Sequence, residues 1–409
     1  VSPKFVDQGT PRPAERPGGG ELLQSHSVPN VDEVETQGAN LALSGPTNDP
    51  SEPLSRGMSA EELSTQYQAA LDTFAAFKVG VEQPPQELRC EQGPGFYILR
   101  FRPRTEDGVQ GSTVASRTED LKLKLCLTQE QTIRSYTDRG FVVFEVPKSP
   151  EQRYRVNASD LWENSQWPVD GLFAPIGEDI SGSLVGINFS SSSTPHLLIA
   201  GTTGSGKSVA LETILEGLCL HYPPESLRLH LVDPKGTELV GFEDSPHLEG
   251  SIGWDAQDAT SLLELLVEEM QARGTAFRAH KVRSLVEFNL KSTANERKPW
   301  HVLVLDEYAD LTTDKDDRKT IEALLQRLAQ KGRSAGIHIV VATQRPSADI
   351  ITPVIRSNLP AQLALRVRSA VDSRIILDEA GAESLAGQGD ALFRTPEGIV
   401  RIQCAMVER

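Results

Sequence analysis

The chain has 409 residues, a formal net charge of −16 and four cysteines. That length suffices for two or three domains with a large core, and the acidic balance excludes a protein coated in basic surface while leaving room for a local basic patch. Cys90, Cys126, Cys219 and Cys404 are far apart and form no C-x-x-C pair, which speaks against a disulfide framework or zinc site and suits a reducing cytoplasm.

In chain order, the first residue is Val1, no signal peptide is visible, and no apolar run approaches the roughly 20 residues needed to cross a bilayer. We therefore expect a processed chain or a piece of a longer protein, with any anchor or extra domain upstream. Residues 1–60 are rich in Pro, Gly, Ser and acidic residues, and Phe5 is their only aromatic. Such a segment buries too little apolar surface to offset its ordering entropy and reads as a disordered leader.

Residues 61–150 read as a small α/β domain. Ser59-Ala-Glu-Glu62 has the pattern of a capping box, and Leu63, Tyr67, Ala70, Leu71, Phe74 and Phe77 recur at helical spacing. Strand-like runs follow at 96–101 and 140–146, with a helix-like stretch at 116–127 between them. Pro147, Pro150, Pro168 and Pro175 then mark a linker.

Residues 151–409 form the main domain, where strands and helices alternate from about residue 170. Strands are expected at 197–199, 227–232, 302–305, 337–342 and 361–366, and helices at 209–220, 258–279, 318–332 and 351–357. Continuous Val/Ile/Leu strands separated by helices imply a mostly parallel sheet covered on both faces. A hairpin at 390–393 and 399–403 would supply an antiparallel edge.

The chemistry concentrates at Gly201-Thr202-Thr203-Gly204-Ser205-Gly206-Lys207-Ser208-Val209, which fits the phosphate-loop template G-x-x-x-x-G-K-[ST] between a strand and a helix. The loop's N–H groups cradle nucleotide phosphates, Lys207 reaches the terminal ones, and the Ser208 hydroxyl takes a magnesium ion. A second apolar strand, 301–305, ends in Asp306 and Glu307. Asp306 would hold the magnesium through water, and Glu307 would orient or activate the attacking water. The strand ending in Thr343-Gln344 brings a polar group to the same sheet edge, where either residue could sense the terminal phosphate. Between Lys331 and Arg374 lie seven basic residues (Lys331, Arg333, Arg345, Arg356, Arg366, Arg368, Arg374) against two acids, Asp349 and Asp372. Such a cluster suits an arginine finger completing a neighbour's site, or contact with phosphate backbones. His196, Trp254 and Trp300 read as structural and packing residues.

Several runs together resemble the FtsK/SpoIIIE family of DNA translocases, in the FtsK–HerA branch of RecA-like P-loop ATPases: PHLLIAGTTGSGKSV (195–209), LVDPKGTEL (231–239), SPHLEG (245–250), VLDEYADL (304–311), and the stretches 327–360 and 372–392. Residues 62–147 more weakly resemble the small α domain that precedes the motor in that family. The resemblance implies a RecA-like motor that assembles as a homo-oligomeric, hexameric ring around double-stranded DNA, with ATP and Mg2+ between subunits of a bacterial, cytoplasmic protein. Carried over by position, Gln344 is the sensor, Arg333 the arginine offered to the neighbouring subunit, and Arg345, Arg356 and Arg368 channel residues facing DNA.

Three departures bear on that picture. Ala370 stands where many members carry lysine, the chain ends soon after the motor without the family's winged-helix domain, and there are no membrane-spanning segments. A motor in DNA defence, restriction or conjugation fits as well as one in chromosome segregation. The competing readings are a type VII secretion-like ATPase moving polypeptide and a non-catalytic module using ATP as a structural switch.

Overall fold

The computed structural model describes residues 57–129 and 131–408. The leader expected at 1–60 lies outside the described residues except for its last four. Those four start the fold: Met58 is buried, and Ser59 caps the first helix with the reciprocal Glu62 bond that the sequence foretold.

The first part of the described chain contains α1 (Ala60–Ala76), β1 (Val81–Glu82), α2 (Gln86–Arg89), β2 (Cys90–Gln92), β3 (Phe96–Pro103), α3 (Gly111–Ala115), α4 (Thr118–Lys124), β4 (Arg134–Asp138) and β5 (Phe141–Pro147). The strands form one five-stranded antiparallel sheet in the order β1-β3-β5-β4, with β2 also on β3. Helix α1 lays Tyr67 and Phe74 onto this sheet. Tyr67 stacks on Phe101 at 4.8 Å between ring centroids, and Phe74 meets the edge of Phe101 at the same distance.

The linker expected between the two parts is structured. It contains α5 (Ala158–Glu163) and runs into a hairpin of β6 (Phe173–Asp179) and β7 (Leu184–Asn188) that was not among the expected strands. The chain continues through β8 (Leu197–Ala200), α6 (Lys207–His221), β9 (Leu227–Val232), α7 (Ala256–His280), α8 (Leu285–Lys291), β10 (Trp300–Leu305), α9 (Tyr308–Leu311), α10 (Lys315–Ala335), β11 (Ile337–Thr343), α11 (Pro353–Asn358), β12 (Ala361–Leu365), α12 (Ala370–Leu377), β13 (Asp390–Thr395) and β14 (Gly398–Cys404).

Nine strands make one sheet in the order β7-β6-β14-β13-β12-β8-β11-β10-β9. The run β12-β8-β11-β10-β9 is parallel, and the remaining four strands are antiparallel. The β13–β14 hairpin is thus an interior element rather than the expected edge, because β14 pairs on with β6 and β7 closes the sheet. Alternate residues of the parallel strands enter opposite cores. Leu198, Leu303, Leu305, Ile339 and Val341 pack under α7 and α10, while Leu197, Ile199, Val302, Val304 and Val340 pack under α6. Burial on both faces is why these strands read as unbroken apolar runs.

A buried charge cluster joins the two sheets. Arg401 on β14 donates Nε to Asp390 Oδ1 at 2.9 Å and Nη2 to Asp390 Oδ2 at 2.7 Å. Its Nη1 donates to Glu145 Oε2 on β5 at 2.9 Å. Arg134 holds the other Glu145 oxygen at 3.2 Å, and the Arg401 guanidinium lies 4.0 Å from the Phe96 ring centroid.

Candidate nucleotide-binding and hydrolysis site

Strand β8 lies inside the parallel run, between β12 and β11, and its carboxyl end delivers residues 201–206 to the edge of the sheet where open α/β folds bind ligands. The loop is tied on both sides. Gly201 N–H donates to Thr343 O at 3.3 Å, and Thr202 donates its N–H and its hydroxyl to Arg366 O at 2.9 and 3.0 Å. Gly206 ends the loop at φ +89° and starts α6, so Lys207, Ser208 and Val209 occupy the helix's first turn. A side chain at Gly206 would place its Cβ 2.4 Å from Gly389 N, and Gly389 N–H donates to Ser205 O at 2.9 Å. Glycine is required there by both the torsion and the close approach.

Strand β10 brings Asp306 and Glu307 beside this loop, both with no exposed surface. Lys207 Nζ forms a buried ion pair with Asp306 Oδ1. Asp306 Oδ2 and Ser205 Oγ are buried with no hydrogen-bond partner. Burial raises the Asp306 carboxyl above its ordinary value, against the opposing pull of Lys207. Glu307 sits at φ +42°, a left-handed torsion that side-chain-bearing residues adopt at a cost of about 1–3 kcal/mol and that gathers at functional sites. Its Oε1 accepts the Thr343 hydroxyl at 3.0 Å and Gln344 N–H at 3.2 Å, and its Oε2 accepts Lys235 Nζ at 2.7 Å. Burial pushes this carboxyl up, but the bonds from Lys235, Gln344 and Thr343 outweigh it and leave Glu307 below its usual value. Gln344 Oε1 accepts the Thr203 hydroxyl at 2.9 Å, which ties the strand end to the loop.

The sequence therefore placed Lys207, Asp306, Glu307 and Gln344 correctly as neighbours, with Thr343 on Glu307 as well. It assigned no role to Asp233 or Lys235. Asp233 is fully buried and accepts five backbone N–H groups, from Lys235, Gly236, Thr237, Glu238 and Leu239, at 2.9–3.1 Å. It folds the turn after β9 so that Lys235 reaches Glu307. The only sequence signal was the D-P-K run itself. Trp254, expected to be a packing residue, is half exposed and lies over Gly236.

The basic residues scatter. Arg333 sits in the last turn of α10, at the sheet edge opposite the phosphate loop, and donates to Ser190 O at 3.3 Å. It cannot reach the site of its own chain. Arg356 is engaged internally, donating to Arg374 O and Ile375 O at 3.1 and 3.2 Å and pairing with Asp378 at 2.8 Å, so it caps α12. Arg368 is exposed. The Arg345 side chain is 67% exposed and lies 3.5 Å from Asp310.

Beside the loop opens a cavity of about 460 Å3, lined by Gly204, Gly206, Val209, Gly387, Gln388, Gly389, Arg153, Tyr154 and residues 403–406.

Comparison with known proteins accords with this geometry. Residues 158–348 match the model of the FtsK/SpoIIIE family. The chain carries an FtsK/SpoIIIE-family domain. A DNA translocase FtsK of Leptospira interrogans is 38% identical over 332 residues, spanning 79% of this chain and 34% of the relative. One from Streptococcus pneumoniae is 37% identical over 333 residues, spanning 79% of this chain and 42% of the relative. The chain thus spans between about a third and two fifths of these relatives' length. Among solved structures, the pCW3 conjugation coupling protein TcpA, in its monomer form with ATPgS, aligns with a TM-score of 0.58 at 22% identity over 84% of this chain and 96% of that one. The cytoplasmic domain of the Thermomonospora curvata type VII secretion ATPase EccC aligns with a TM-score of 0.52 at 26% identity, over 62% of this chain and 30% of that one. The matched segment takes in β8, β10 and β11, and with them the phosphate loop, Lys235, Asp306, Glu307 and Gln344, while Gly389 and the 403–406 wall of the cavity lie beyond it. Among the described residues no helix is long and apolar enough to cross a membrane.

Proposed function

We propose that this chain is the ATP-hydrolysing motor of a cytoplasmic double-stranded DNA translocase that works as a ring. The observation that carries the reading is the convergence of Lys207, Asp306, Glu307, Thr343 and Gln344 on one phosphate loop. Asp306 Oδ2 and Ser205 Oγ, buried and unpartnered, suit a hydrated cation and a phosphate oxygen, because buried polar atoms are otherwise satisfied. Mg2+ bound with ATP would supply charge neutralisation on the phosphate oxygens. Ser208 and Asp306 are the residues to hold it, and Lys207 exchanges Asp306 for the terminal phosphates. The loop N–H groups and the N-terminus of α6 complement negative charge. The cavity beside Gly206 and Gly389 offers room for the nucleoside.

Glu307 takes a proton from the attacking water, and Gln344, bonded to Thr203, reports on the terminal phosphate. Arg333, remote from its own site, is offered to the neighbouring copy. DNA falls to exposed Arg345 and Arg368 rather than to Arg356, which α12 already occupies. Contacts of this kind address phosphates, so binding is sequence-tolerant and weakens with salt.

The likeness to EccC keeps a polypeptide-moving motor as the second reading, but relatives at 34–38% identity named DNA translocase favour DNA. The deciding measurement is ATP turnover by the purified protein with and without linear duplex. Stimulation by duplex is expected. Turnover that ignores duplex but responds to polypeptide would move the chain to the second reading, and no turnover at all would end the motor reading.

A further inference from the structure

We propose that Lys235 is a restraint on Glu307, a positioning residue that holds the carboxylate in an idle geometry until the ammonium lets go. The inference rests on the motor reading for its consequence, but the restraint itself is a matter of this chain's own contacts.

Glu307 has no exposed surface, and both of its oxygens are engaged. Oε1 accepts the Thr343 hydroxyl and Gln344 N–H, and Oε2 accepts Lys235 Nζ at 2.7 Å. A general base needs an oxygen within about 2.6–3.2 Å of the water it deprotonates, with a lone pair free to take the proton. In this arrangement the ammonium stands where that water would have to approach Oε2.

The three partners differ in their freedom to leave. Thr343 and Gln344 are fixed by β11, whose strand end the phosphate loop also grips through Gly201. Lys235 instead reaches in from a turn with a four-carbon side chain that is 33% exposed. The turn is rigid, because Asp233 binds five successive N–H groups including that of Lys235. Release therefore needs only side-chain rotation. Besides Glu307, the carboxylates of Asp310, on α9, and Asp306 act electrostatically on this ammonium.

The test combines stability without nucleotide and turnover with it. In nucleotide-free protein, Lys235→Met leaves the buried Glu307 carboxylate without its cation and is expected to lower the melting temperature by about 3–6 °C. In a Glu307→Gln background the same substitution is expected to shift it by less than about 1 °C, since neighbouring residues are non-additive when they interact. Lys235→Arg should keep most of the stability. In turnover assays, Lys235→Met should raise ATP hydrolysis in the absence of DNA several-fold and shrink the ratio of DNA-stimulated to DNA-free rate, with KM for ATP little changed. Equal melting losses in both backgrounds would overturn the pairing. A drop in DNA-free turnover would overturn the restraint and make Lys235 a helper of the reaction. If the wild-type protein hydrolyses no ATP, it is the motor reading that falls, and the melting cycle still decides whether Lys235 holds Glu307.

Discussion

Two buried charge clusters divide the molecule's labour. At the joint between the sheets, Arg401 spends its guanidinium on Asp390 and Glu145, Arg134 takes the remaining Glu145 oxygen, and Phe96 covers the planar face. At the nucleotide site, each lysine has one carboxylate, and Asp306 Oδ2 and Ser205 Oγ are left unbonded within the fold. Both clusters are desolvated, so both are costly to leave unpaired. The saturated one has no valence left for a guest and can only fix geometry. The unsaturated one is built of pairs that an anion and a cation can exchange. Saturation, rather than burial, separates the structural cluster from the chemical one.

The largest effect expected is on chemistry. Glu307→Gln should reduce ATP turnover by about 10²- to 10⁴-fold while nucleotide binding, followed with a fluorescent analogue, persists. Near-normal turnover would remove Glu307 as the base. The joint should respond in the opposite sense. Arg401→Met removes the cation that bridges two buried carboxylates, leaving Glu145 to Arg134 and Asp390 to the Ala386 N–H, and is expected to cost about 3–5 kcal/mol in denaturant unfolding, before any question of catalysis. If it proved harmless, the saturated cluster would not be a structural element at all.

A smaller loss is expected at Gly206→Ala, about 1–3 kcal/mol, from the left-handed torsion and the approach of Gly389 N. Unfolding curves with and without nucleotide would show it in both.

Acid should act on the buried neutral histidines. Burial lowers His196 to about 4 and His338, also repelled by His196, to about 3. The unfolded chain protonates these rings near pH 6.5 while the folded one does not, so their contribution is whole above 6.5 and fades as pH falls from there toward 4. Each should cost roughly 1 kcal/mol by pH 5.5, and His338→Asn should flatten that part of the profile. The smallest effect on stability is expected at Arg345→Ala. An exposed pair with Asp310 is worth under about 1 kcal/mol, yet stimulation by duplex should weaken.

The phosphate loop and the Asp306-Glu307 strand end were legible because each is a contiguous run whose chemistry follows from local geometry. Gln344 was legible for the same reason. Lys235 was not, since its meaning lies in a bond to a residue 72 positions away. The Arg401–Glu145 bond, across 256 positions, is further out of reach. The hairpin β6–β7 was absent from the expected strands because Pro175 and Gly177 interrupt its apolar pattern. They flank a register shift, and Gly177 lies where a Cβ would meet Gln403 O at 2.0 Å. Proline is tolerated in a sheet at such an irregularity, so the feature that hid the strand is one the strand requires. The bonding of Arg356 was equally illegible, since a local surplus of positive charge says nothing about which guanidinium a helix end will claim.

Gly389 and Asp390 are consecutive residues, yet the amide of the first rests on Ser205 O and the carboxylate of the second grips Arg401. A single peptide unit, about 3.8 Å of covalent chain, thus links the 201–206 loop to the charge cluster that joins the smaller sheet. No side chain stands between the two contacts, so a shift of one would be passed to the other through the backbone alone.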